Sequence, residues 1–305
     1  MIKNLICCTT ILLGLISTAL AANLDTVRID ELTGLKGKMN EKEGVYKITL
    51  PRSDVKVAVD GWIMPPFMGL GTWAAFTATK TGAMVMGDTV LFEDEVSAAM
   101  STSLDNGLNV TALHNHFFFD RPNVYFMHIE GEGSTDKLAS AIRKVYDGIK
   151  QIRVANPQPK DSFGTKSLPD RNSINAAPLN EIFGTQGESK DGMVKFTFGR
   201  PAKMHGITLG NAMGVNTWAA FAGTDDNAIV DGDFAVTEDE LQPVLKSLLK
   251  EKIKIVAIHQ HMTHEQPRIM FFHYWGRGTA KDLGQAVKGG LLIGGLLGVS
   301  SPLEN

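Results

Sequence analysis

Apolar and polar side chains alternate along residues 45–50 and 56–59, and apolar runs follow at 73–77 and 83–86. Alternation in the first two and short apolar runs in the others predict strands at all four. Residues 93–104 then space their apolar positions at threes and fours, which predicts an amphipathic helix ending near Asn106-Gly107. Residues 110–117 and 124–130 return to strand patterning, and 135–149 read as a closing helix. Strands, helix, hairpin and helix in that order argue for an α+β fold, a mainly antiparallel sheet with helices on one face.

The pattern occurs twice. Thr72-Trp73-Ala74-Ala75-Phe76 returns unchanged as Thr217-Trp218-Ala219-Ala220-Phe221, 145 positions later. The same shift carries Gly87-Asp88 onto Gly232-Asp233 and Glu93-Asp94-Glu95 onto Glu238-Asp239-Glu240 without a gap. Upstream, 30–34 echoes 180–184 and 47–52 echoes 195–200 with small shifts. Such self-similarity implies two tandem homologous domains, expected to pack about a pseudo-twofold axis. The expected division is a signal peptide at 1–21, a first repeat at 22–150, a linker at 151–172 and a second repeat at 173–305. Pro, Asp, Ser and Lys crowd residues 156–175 without apolar periodicity, the composition of a solvated connection.

The amino terminus changes the picture of location. Lys3, an apolar run over 5–16 and Ala19-Leu20-Ala21 fit an export signal with a small-x-small cleavage site, so the expected compartment is periplasmic or secreted. Both cysteines, Cys7 and Cys8, fall inside that signal, which leaves only nitrogen and oxygen as metal donors in the processed chain. Its removal takes away Lys3 alone among the charges and moves the formal balance from −3 to about −4. No basic block remains, which argues against a nucleic-acid partner. The apolar stretch at 289–299 is too short and too glycine-rich for a membrane span.

The eight histidines carry the candidate chemistry. His114, His116 and His128 of the first repeat map onto His259, His261 and His273 of the second. Residues two apart on a strand share a face, so each His-x-His pair projects together. A turn centred on Arg121 would bring His128 opposite His114 and complete a triad with an open coordination position. The expected cofactor is a divalent metal, with zinc the default, since imidazole also accepts copper, iron, nickel and manganese. His264 and Glu265 add candidate ligands in the second half.

Glu95 and Glu240 are the candidate general bases beside a metal-bound water. Against that role, Thr237 and Glu240 have the spacing of a capping box at a helix start. Asp88 and Asp233 suit carboxylates that orient an imidazole, but Gly-Asp reads first as an ordinary turn pair. Asp60 and His205 share a repeat position and are both metal-capable. Trp73 and Trp218 read as core anchors.

With these motifs assembled, the chain resembles the LppY/LpqO-like family of bacterial envelope proteins. The resemblance rests on Gly87-Asp88, Thr111-Ala112-Leu113-His114-Asn115-His116, Met127-His128-Ile129-Glu130-Gly131, His259-Gln260-His261 and Phe272-His273-Tyr274-Trp275-Gly276. It implies a tandem envelope domain with a histidine motif and supplies no reaction. Unlike the lipoprotein members, this chain has no cysteine at the cleavage point. The expected function is a metal-binding protein with a small-molecule or cell-envelope ligand, and metal-dependent hydrolysis is the reaction its site would suit. The alternative is a non-catalytic binding module with structural histidines.

Overall fold

A computed structural model describes residues 24–297; the expected signal peptide lies outside the described residues. The first repeat contains α1 (Thr26–Thr33), β1 (Lys38–Asn40), β2 (Val45–Pro51), β3 (Ala58–Val59), β4 (Trp62–Ile63), β5 (Gly71–Ala78), β6 (Ala83–Phe92), α2 (Glu93–Asp105), β7 (Asn109–His114), β8 (Asp120–Arg121), β9 (Val124–Gly133) and α3 (Thr135–Ala155). The second repeats that order with α4 (Ala176–Phe183), β10 (Glu188–Lys190), β11 (Met193–Gly199), β12 (Ala202–Met204), β13 (Ile207–Leu209), β14 (Asn216–Thr224), β15 (Asn227–Thr237), α5 (Glu238–Lys250), β16 (Lys254–His259), β17 (Ile269–Gly278) and α6 (Ala280–Ile293). The predicted α+β character and antiparallel pairing are present in both halves.

Local chemistry accounts for the boundaries. Helix α2 opens on three acids, Glu93, Asp94 and Glu95, where the amide ends favour negative charge, and it stops before Gly107 at φ 79°. The Ser134 hydroxyl accepts the Lys137 amide at the start of α3. That helix continues to Ala155, so residues 151–155, expected in the linker, are helical.

Twelve strands form one sheet in the order β1-β2-β5-β6-β9-β7-β16-β17-β15-β14-β11-β10. The halves meet where β7 and β16 run antiparallel, with Leu113 paired to Ile258. These two residues occupy the same repeat position, so the pseudo-twofold axis passes between them. The strands overlap only at their tips. Beyond the overlap, the Gln242 side chain of α5 closes the edge of β7, donating to the Val110 carbonyl (2.9 Å) and accepting its amide (2.8 Å).

One apolar core runs under both halves on the helix side and includes Leu113, Met127, Ile258 and Phe272. Fully burying a side chain of this size stabilises by roughly 1.5–3 kcal/mol, so the join belongs to the core and is no mere surface contact. Among the described residues, the opposite face is covered at one end of each half. There Val55, Val57, Met64 and Leu70 bury Val90, Phe92, Val124 and Phe126, and Ala202, Leu209 and Val215 do the same for Ala235, Ile269 and Phe271. Strand β6 records the change, alternating over Ala83–Gly87 and buried on both sides from Asp88 to Phe92. The cover is a flap built on β3–β4 in the first half and on β12–β13 in the second.

Trp73 and Trp218 are half-buried on this partly open face and are not anchors of the helix-side core. Lys47 and Lys195 lie 4.0 and 4.4 Å above their rings.

Candidate metal centre

The histidines gather at the border between covered and open sheet. In β7–β9 the register places Ala112 opposite His128 and His114 opposite Phe126. This corrects the expected His114–His128 pairing by two residues, and because the side-chain period is two, both rings keep the same face. They meet diagonally with Nε2 atoms 3.0 Å apart. His114 Nδ1 faces the Asn115 carbonyl oxygen at 3.2 Å. A carbonyl only accepts, so this contact suits the tautomer with the proton on Nδ1, which would turn the Nε2 lone pair to the cluster.

His116 lies beyond the end of β7, which is shorter than expected, yet it still joins the group. Its ring stacks on Phe126 at 3.7 Å and lies 5.1 Å from the ring of His114. The second half gathers the same three rings with a different nearest pair, and among the described residues its Asp233, His259 and His261 are the group whose donor atoms converge, which Asp88, His114, His116 and His128 do not match. His261 stacks on Phe271 at 3.5 Å, its Nε2 is 3.1 Å from that of His259, and the His259 and His273 rings are 4.5 Å apart. These phenylalanine plates position the third histidine, and the sequence reading did not single them out.

Each triad faces a carboxylate. Asp88 and Asp233 stand in mid-strand, opposite His128 and His273 in the ladder, which overturns the turn reading of Gly-Asp. The glycine has a packing reason: a Cβ at Gly232 would sit 2.3 Å from both the Trp218 carbonyl oxygen and the Tyr274 hydroxyl. Asp233 Oδ2 is 3.3 Å from His261 Nε2, and Oδ1 is 3.8 Å from His273 Nδ1. Among the described residues, Asp88 Oδ1 and Asp233 Oδ1 are buried without a hydrogen-bond partner. Donor atoms of Asp233, His259 and His261 all lie within 4.8 Å of one another.

Burial sets the electrostatics. It pushes the carboxyl groups of Asp88 and Asp233 up, against the pull of the adjacent histidines. It pushes His116 down, helped by His114, and His259 down to about 4, helped by His273 and His261. For metal-free protein the sign follows from proton uptake. An unfolded histidine binds its proton near pH 6.5, before folded His259 does, so this group's stabilisation is full above that pH and is lost as pH falls toward 4. His116 acts in the same direction, while the raised aspartates act oppositely. Allowing for partial exposure, we expect His259 by itself to account for a loss of about 1–2 kcal/mol between pH 6.5 and 4. Urea melts in chelator of wild type and His259→Gln at pH 7 and pH 5 isolate it; the same pH dependence in both proteins would contradict the assignment.

Four expected site residues are used elsewhere. Glu95 is fully buried and clamped by Arg52, Arg153 and the Phe92 amide. Glu240 caps α5 through the Thr237 amide and pairs with Arg200 at 2.8 Å. Neither carboxylate joins a triad. Glu265 accepts the Ile269 amide at 3.1 Å, the loop-fastening contact that Asp120 makes with Val124 in the first half. His264 faces His205 across the flap, ring centroids 6.2 Å apart, outside the His259 group. In the first half Asp60 and Phe119 hold these two positions, with the Asp60 amide donating to the Phe119 carbonyl at 3.3 Å.

The two-copy arrangement agrees with a comparison against protein families. A family model described as Domain of Unknown Function (DUF1259) matches residues 27–148 and again 177–292. The chain belongs to this family. Its two matched segments enclose both histidine triads, so each DUF1259 copy contains one. A comparison with curated proteins finds no match. Among solved structures, the chain is similar to a trimeric bacterial microcompartment shell protein, PduB, at 11% identity over 84% of this chain and 89% of that one. The TM-score of 0.21 is too low to bear on fold or function.

Proposed function

We propose that this DUF1259 protein binds a divalent metal ion in each half, through His114, His116, His128 and Asp88 in the first and His259, His261, His273 and Asp233 in the second. The carrying observation is the buried, unpartnered Oδ1 of Asp233 in a group where the Nε2 atoms of His259 and His261 are 3.1 Å apart and donor atoms of all three residues lie within 4.8 Å of one another. Ligands about 2.1 Å from a shared ion stand about 3.0–3.4 Å apart at octahedral or tetrahedral angles, so this spacing suits a common cation. A buried carboxylate oxygen without a donor is otherwise costly. Zinc is the first expectation, from a set of nitrogen and oxygen ligands.

The likeness to the LppY/LpqO group and the export signal at 1–21 support action in the cell envelope on a small or envelope-derived ligand. Hydrolysis through a metal-bound water fits the triads, but the commitment of Glu95 and Glu240 to arginines favours a binding role. Untagged protein analysed for metals should carry about two ions per chain after incubation with zinc and removal of excess. Less than about a tenth of that, from folded protein, would defeat the proposal.

A further inference from the structure

The two triads are neighbours. Stepping one residue from the Leu113–Ile258 pair brings His114 opposite Ala257 and His259 opposite Ala112. The open face therefore carries one row of Asp88, His128, Ala112 and His259, and beside it a row of His114, Ala257, His273 and Asp233. His114 and His259 are diagonal partners with about 7–8 Å between them. Ala112 and Ala257 are the register neighbours between them on this face, so small side chains separate the two clusters across the pseudo-twofold axis.

An ion held between β9 and β7 and another between β16 and β17 would be two strand spacings apart, about 10 Å. That is too long for the shared hydroxide of a two-metal hydrolase, whose ions stand about 3.5–4 Å apart. It leaves about 6 Å between the oxygens of a ligand that coordinates both ions, after about 2.1 Å for each metal–oxygen bond. Each dication with three neutral imidazoles and one carboxylate retains a single positive charge. The repeat places the same ligand residue types at both ends.

We infer that the paired centres form one bipartite site for a dianionic ligand with similar oxygen-donor ends, a linear dicarboxylate of about glutarate length. This rests on the metal assignment above. The class is set by charge, end-to-end likeness and span: a monocarboxylate satisfies one ion, and a diacid as short as oxalate cannot reach both.

The full chain loaded with zinc and titrated calorimetrically tests this, with glutarate as the probe and butyrate and oxalate as controls. One glutarate per chain is expected, bound at least tenfold more tightly than butyrate because the second contact is intramolecular. His128→Ala, which leaves the second half's ligands in place, should reduce glutarate to the butyrate level. Two glutarates per chain, or glutarate no tighter than butyrate on doubly loaded wild-type protein, would overturn the bipartite site and leave the metal assignment standing. A chain that takes up no zinc would end both. The wild-type comparison needs no variant to fold.

Discussion

Replacing Glu95 with alanine should destabilise the protein by about 3–5 kcal/mol, whereas the same change at Glu240 should cost only about 1 kcal/mol. Arg52 meets Glu95 at 2.9 and 3.0 Å, and Arg153 Nε lies 2.8 Å from the same carboxylate as an ion pair without hydrogen-bond alignment. All three side chains are buried. Deleting the carboxylate leaves two guanidinium groups inside the protein, with Asp54 and Asp94 as their remaining acidic partners. Glu240 has one arginine partner and is a quarter exposed, so its loss is close to that of a helix cap. Thermal melts of metal-free protein should place Glu95→Ala on the order of 10 °C below wild type. Similar small losses for both variants would mean that the buried cluster stabilises nothing.

Asp233→Asn should separate ligand chemistry from architecture. Burial raises the Asp233 carboxyl, so at neutral pH its ionisation is less favourable in the folded chain than in the unfolded one. Without metal, the uncharged amide should therefore be as stable as wild type or better by about 1 kcal/mol. With zinc at a thousand times its dissociation constant, each occupied site adds about 4 kcal/mol. The variant should forfeit most of the share due to the second half, and the stability order should reverse on adding metal. Parallel stabilisation of both proteins by zinc would remove Asp233 from the ligand set.

Period-two and helical patterning made the strands, the long helices and the duplication legible in advance, because each is local or repeats at a fixed shift. The fusion of two sheets into one was not, since it hangs on a single ladder pair, Leu113 with Ile258. Face assignment survived the register error for His114 and His128 because an even slip preserves it. Asp88 and Asp233 were undervalued because Gly-Asp has turn composition, although both follow unbroken strand patterning. Glu95 was overvalued because Arg52 and Arg153, which occupy it, are remote in the chain. His264 and Glu265 sit close to the triad in number, but the loop leads His264 to the flap and spends Glu265 on the Ile269 amide.

A strand order that reads the same from either edge has an evolutionary consequence. An unduplicated ancestor with this repeat could have completed the sheet as a homodimer, with the residue now represented by Leu113 and Ile258 meeting its own copy. Joining two such copies in one chain frees them from identity. Phe67, Phe118 and Phe119 now stand exposed on the first flap, where the second carries Ala212, Thr263 and His264. A homodimer could not have specialised one rim without altering the other.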